Sequence, residues 1–227
     1  MGVFEFDRVK PYIDDRYRTV VETGTCLGYS TNNLAKAFSL VHTIELNQKL
    51  YENAVRNFNI YPHVMCHYGD SKEVLKTLVP QLSGQVIFFL DAHWSGDNSV
   101  DWKNSLWKGY GVETSYVGLE PTPENQVPLL EEIRIIHSEY PEECIIYIDD
   151  ADKFDRNGKG ISDKGFVGED WSHLSLEHIK EVIKDRMIKF DLLENQLVIK
   201  LKTSSDDGSS LTSGPVGPKG IKTLGLS

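Results

Sequence analysis

Two five-residue runs of this chain are wholly apolar, and each is cut off by aspartate. Val86 to Leu90 ends in Asp91, and Cys144 to Ile148 ends in Asp149 and Asp150. A strand with one wet face alternates polar and apolar residues. These runs do not alternate, so they must be covered on both sides, like central strands of a parallel sheet. Shorter apolar runs at Thr19 to Val21, Val41 to Glu45 and Val64 to Tyr68 read as further strands. Between them the 3.6-residue periodicity predicts helices over Ser30 to Phe38, Gln48 to Phe58, Lys72 to Leu78, Leu129 to Glu139 and Leu174 to Arg186. Met187 to Leu193 and Gln196 to Leu201 flank Glu194-Asn195 and read as a closing antiparallel hairpin. Such alternation implies a doubly wound α/β fold, in which ligands collect beyond the carboxyl ends of the strands.

The chain of 227 residues is expected to form one domain over 1–202. The segment 94–127, with Trp94, Trp102, Trp107, Tyr110 and Tyr116, fits no strand or helix pattern and reads as a lid or acceptor-site wall inserted after strand four. Ser, Thr, Gly and Pro dominate 203–227, the composition of a flexible tail; its two collagen-like triplets from Gly214 are too few for a triple helix. Cys26, Cys66 and Cys144 form no CxxC pair, and buried thiols in a reducing, cytoplasmic setting are expected. Residues 1–15 lack a signal-peptide core, and no apolar run is long enough to span a membrane. The net charge of −10 argues against nucleic acid or anionic lipid as partner.

Unusual residues stand where the strands end. Val21-Glu22-Thr23-Gly24-Thr25-Cys26-Leu27-Gly28-Tyr29-Ser30-Thr31 joins the first strand to its helix. Gly24 suits a tight turn, Gly28 a close helix, and Glu22 a ligand with a cationic amino group. The spacing is not GxGxxG, and a bland strand–turn–helix joint reads equally well. Glu45, ending the second strand, can take both hydroxyls of a ribose or simply be solvated. Gly69-Asp70-Ser71 follows the third strand, where Asp70 can meet a base edge or cap the next helix.

This order of glycine turn, acid after strand two and Gly-Asp after strand three resembles the class I S-adenosylmethionine-dependent methyltransferases over roughly residues 15 to 201. The resemblance implies a Rossmann-like seven-stranded sheet, mostly parallel, with the hairpin at its end. It implies that Glu22 and Gly24 face the methionine part of the cofactor, Glu45 the ribose, and Asp70 with Ser71 the adenine. Thr23, Gly28, Ser30, Thr31 and Asp91 complete the cofactor set it implies.

Asp91, Asp149 and Asp150 bring three carboxylates to one end of the sheet. Crowded carboxylates raise one another's pKa, and a divalent cation relieves that conflict. Oxygen ligands favour Mg²⁺, with Mn²⁺ or Ca²⁺ as substitutes. Helix-capping or solvated aspartates are the plainer alternative. The pattern is similar to that of metal-dependent O-methyltransferases, closest to those acting on macrolide sugars, such as macrocin and mycinamicin O-methyltransferases. That resemblance implies Asp91, Asp149 and Asp150 as metal ligands. Relatives place an Asp or Lys shortly after the strand-four Asp; here the nearest basic group is His93, the expected proton acceptor.

The expected activity is therefore metal-dependent methyl transfer to a hydroxyl of a sugar or glycan, with the chain soluble and intracellular. A catechol-like acceptor, an amine acceptor without metal, and a non-catalytic binding module are the competing readings. A homo-oligomer is compatible with the sequence but has no interface signature in it. His63 and His67 straddle a strand and should not share a metal. Asp152, Asp155 and Asp163 lie in a polar loop whose spacing is not that of an EF-hand.

Overall fold

The computed structural model describes residues 4–93, 122–153 and 170–204. Most of the 94–127 insertion, the loop with Asp155 and Asp163, and the tail from 205 onward lie outside the described residues.

A short helix, α1 (Phe6–Val9), precedes β1 (Tyr17–Thr23), α2 (Tyr29–Ala37), β2 (Leu40–Glu45), α3 (Gln48–Phe58), β3 (Val64–Tyr68), α4 (Ser71–Leu78) and β4 (Gln85–Leu90). After the insertion come α5 (Pro123–Gln126), α6 (Leu129–Glu139), β5 (Cys144–Ile148), α7 (Leu176–Ile183), β6 (Met187–Leu193) and β7 (Gln196–Leu201). The sheet has seven strands in the order β3-β2-β1-β4-β5-β7-β6. The first five strands run parallel to one another, while β7 runs antiparallel to both β5 and β6. The doubly wound sheet with its closing hairpin is thus as the sequence implies.

Both faces of the central strands are covered. On one, Val21, Ile44, Phe88, Leu90, Ile146 and Ile148 pack against α4, α6 and α7 through Leu75, Ile133, Ile136, Ile179 and Ile183. On the other, Val20, Val41, Ile87, Phe89 and Tyr147 pack against Leu34 and Phe38, with Phe4 and Val9 closing the edge. The N-terminal segment therefore belongs to the core. Its alternation of charged and apolar residues hid this, because only every few residues point inward.

The ends of several elements shift for identifiable reasons. The helix expected over Leu174 to Arg186 is confined to Leu176–Ile183. Ser175 starts it, its side chain accepting the His178 amide at 3.0 Å. Asp70 does cap α4, accepting the Lys72 amide at 3.0 Å. Of the three thiols only Cys144 is buried; Cys26 and Cys66 are half-buried. Among the described residues, no helix is long and apolar enough to cross a membrane.

His63 and His67 have different partners. His63 Nε2 lies 2.8 Å from the Ala35 carbonyl, and His67 Nε2 lies 2.9 Å from Nδ1 of His42 on β2. The two rings stack. Burial first, and then the His67 ring, pull the His42 pKa from 6.5 down to about 4. A base whose folded pKa is depressed is protonated more readily in the unfolded chain. Its contribution to stability is therefore intact above pH 6.5 and lost as pH falls toward 4. Comparing urea unfolding of wild type and His42→Gln across that window should show the wild type losing about 2–3 kcal/mol more than the variant. Parallel curves would refute it.

Candidate active site

The sheet order reverses direction between β1 and β4: the chain leaves β1 for β2 and β3 on one side, then returns to β4 on the other. This is the crevice where doubly wound sheets take ligands. Here the first turn meets the end of β4 directly. The Asp91 amide donates to the Thr23 carbonyl at 3.2 Å. Gly24 has φ +86°, and a Cβ there would stand 2.8 Å from the Asp91 carbonyl oxygen. Gly28, at φ +79°, begins α2, and a Cβ on it would strike the Phe58 ring at 2.7 Å. Its close neighbour is therefore α3.

The acidic residues of this turn are supported from inside the fold. Glu22 is 0% exposed, and its Oε2 accepts from the hydroxyls of Thr31 (2.5 Å) and Thr43 (2.6 Å). Its Oε1 has no hydrogen bond. Burial drives its pKa up to about 8, and the two threonines offset only part of that. Burial thus disfavours the charged form of this carboxyl, and the two hydroxyls favour it. Thr23 and Thr31 are also fully buried, and the Thr31 hydroxyl holds Glu22. Ser30 Oγ accepts the Phe4 amide at 3.0 Å, tying α2 to the N-terminal segment.

Glu45 ends β2 facing the same turn. Its two oxygens accept from the amides of Cys26 (2.7 Å) and Asn47 (2.8 Å). Burial pushes its pKa up while these amides pull it down. Cys26, whose amide reaches Glu45, has φ 53°, a strained setting for a residue with a side chain. Asp70, besides capping α4, lies 3.6 Å from the Lys72 ammonium, and Ser71 opens the helix.

On the other side of the crevice stand the residues after β4 and β5. His93 Nε2 lies 2.9 Å from Asp150 Oδ2 and 3.5 Å from Asp91 Oδ1. One ligand atom from each of Asp91, His93 and Asp150 falls within 4.8 Å of the others. Asp150 has φ 58°, which turns it away from the strand direction. Asp149 stands outside that group. Its Oδ1 takes a long 3.4 Å contact from the Asn195 side chain in the β6–β7 turn, and its buried Oδ2 has no hydrogen bond. Burial, then the Asp91 charge, raise Asp149 to about 6. Burial also raises Asp91. For Asp150 the His93 hydrogen bond and charge outweigh burial and hold it below its ordinary value.

Asp91, His93 and Asp149 line one small cleft together with Val127, Glu132 and Trp171. Two of these were not singled out in the sequence. Trp171 is buried, its ring 5.8 Å from that of His93. Glu132, in the first turn of α6, is 0% exposed, and neither carboxylate oxygen has a hydrogen bond. Burial raises it to about 7, with the nearby Ser71 and Thr23 side chains acting in the opposite direction. A signal for Glu132 did exist: it lies three residues after Leu129 and four before Ile136, on the apolar stripe of its helix.

No protein-family profile matches the chain, and no curated protein is similar to it in sequence. Solved structures do share its fold. A Klebsiella pneumoniae protein described as an O-methyltransferase superposes with a TM-score of 0.50 at 14% identity, covering 88% of this chain and 78% of that one. The Podospora anserina methyltransferase PaMTH1, solved with SAH bound, superposes with a TM-score of 0.50 at 15% identity, covering 82% and 72%. The likeness is one of fold: a seven-stranded mixed sheet of the methyltransferase type with its antiparallel hairpin.

Proposed function

We propose that this chain is an S-adenosylmethionine-dependent O-methyltransferase, assisted by a divalent cation and acting on a hydroxyl of a sugar or glycan. The observation that carries the reading is the junction of Gly24 with Asp91. There the turn after β1 presses on the backbone of the residue whose side chain opens the acidic cleft. A cofactor along the ends of β1, β2 and β3 would meet Gly24, Glu45 and Asp70, and its reactive end would lie beside Asp91. The SAH carried by the Podospora protein, on the same fold, supports that cofactor class.

A cation fits the far side of the junction. Two carboxylates and one imidazole converge there with Asp149 bordering them, and Asp91 Oδ1 and Asp149 Oδ2 are buried without a hydrogen bond. When bound, a divalent ion would lower the pKa of a coordinated hydroxyl. The chain's own part is alignment: Asp91 belongs to both halves, so its position fixes the distance between methyl donor and acceptor. Trp171 supplies an apolar wall suited to the C–H face of a sugar ring. A catechol-like ring would suit it as well, and is the alternative acceptor. We take the partners to be small molecules or glycans rather than nucleic acid or membrane, in keeping with the charge of −10, and the setting to be the cytoplasm.

Calorimetric titration of S-adenosylmethionine and S-adenosylhomocysteine, with Mg²⁺ or Mn²⁺ and then with EDTA, tests this. The expected result is micromolar binding of both nucleosides. A screen of sugars and catechols should then give methyl transfer that EDTA abolishes. A folded sample that binds neither nucleoside removes the methyltransferase reading. Transfer that survives EDTA removes the cation and favours an amine acceptor.

A further inference from the structure

We infer that the cation is held by Asp91, His93 and Asp150, with the imidazole as a ligand, and that the ion is a transition metal rather than Mg²⁺ held by oxygens alone. This rests on the cation-assisted reading of the site but changes both its ligand set and its metal. Among the described residues, these three side chains form the group able to share one ion, their ligand atoms all within 4.8 Å of one another. In an octahedral shell with bonds of about 2.1 Å, neighbouring donors lie about 3 Å apart. The distances from His93 Nε2, 2.9 Å to Asp150 Oδ2 and 3.5 Å to Asp91 Oδ1, are those of two edges of such a shell.

A separate observation points to a cation. The Asp91 side chain is only 10% exposed, and its Oδ1 has no hydrogen bond. Its Oδ1 lies 3.5 Å from His93 Nε2. A buried carboxylate oxygen in that state calls for a positive partner. Asp149 takes another part. Its carboxylate leans toward Asn195 on the hairpin side and stands outside the compact group. It borders the cleft, where its free oxygen can receive a hydrogen bond from a metal-bound water or an acceptor hydroxyl.

The donor chemistry selects the metal. Mg²⁺ is bound by oxygen and keeps its waters, whereas imidazole suits later first-row metals such as Fe²⁺, Ni²⁺ and Zn²⁺; Mn²⁺, which takes carboxylate and water, serves as the spectroscopic probe. Two carboxylates and one imidazole leave coordination positions for two vicinal hydroxyls. As a ligand through Nε2, His93 is no longer the proton acceptor its sequence position suggested.

The test is a Mn²⁺ titration of the full chain saturated with S-adenosylhomocysteine, followed by electron paramagnetic resonance with electron spin-echo detection of ¹⁴N coupling. Wild type should bind one Mn²⁺ and show coupling to one imidazole nitrogen. His93→Gln should abolish the coupling and weaken Mn²⁺ about 10- to 100-fold, while Asp149→Asn keeps the coupling. Bound Mn²⁺ without ¹⁴N coupling in wild type overturns the inference, yet leaves a cation held by oxygens intact. A chain that binds S-adenosylhomocysteine but no Mn²⁺ overturns it together with the cation-assisted reading. The wild-type spectrum alone decides the ligand, whether or not the variants fold.

Discussion

Replacing Arg186 by methionine is expected to remove about 3–5 kcal/mol of stability, a large part of what a domain this size commonly has. Arg186 is 3% exposed and precedes β6. Its guanidinium donates to the carbonyls of Lys202 (3.0 Å), His137 (2.9 Å), Tyr140 (2.6 Å) and Glu142 (2.7 Å). Two of these carbonyls belong to the end of α6 or just beyond it, and one follows β7. A single side chain thus ties the exit of a helix to the end of the sheet. Methionine keeps much of the volume but supplies no donor, so four buried or part-buried carbonyl contacts are lost. Urea unfolding measures the loss through the midpoint at constant slope. A change below about 1 kcal/mol would mean that water replaces the guanidinium at little cost.

Gly24→Ala is expected to weaken S-adenosylhomocysteine binding by at least about 100-fold, or roughly 3 kcal/mol. The new Cβ would lie 2.8, 3.1 and 3.2 Å from the Asp91 oxygen, the Asp91 carbonyl carbon and the Ala92 Cα. These are backbone atoms, so no side chain can swing aside; either the first turn or the end of β4 must move. Both border the proposed ligand crevice. Gly84→Ala is the control. Gly84 also has positive φ, +79°, but nothing stands within 4 Å of its Cβ position. That variant carries only the conformational cost, about 1 kcal/mol of stability, with no change in binding. Equal affinities for the two variants would sink the assignment of the crevice.

The strands and helices were legible because burial is written locally. Alternation at period two or 3.6 marks which residues face the core, and the uncharged runs before Asp91 and Asp149 could belong only to strands covered on both faces. The N-terminal helix escaped notice because its few inward residues, Phe4 and Val9, are too sparse for a period to show. Glu132 escaped for the opposite reason: it sits inside a strong apolar pattern, where a lone acid reads as an edge residue.

By itself, then, the sequence determined the succession of elements, the hairpin, and the delivery of Glu45, Asp70, Asp91, Asp149 and Asp150 to strand ends. The tertiary structure alone decided which of those groups meet. It turned Glu22 inward onto Thr31 and Thr43, gathered His93 with Asp91 and Asp150, and left Asp149 toward Asn195. The physical reason is that strand order and register follow from burial summed over the whole sheet. The left-handed turns at Cys26 and Asp150, which aim the loop groups, are held by contacts from distant elements rather than by any preference of those residues.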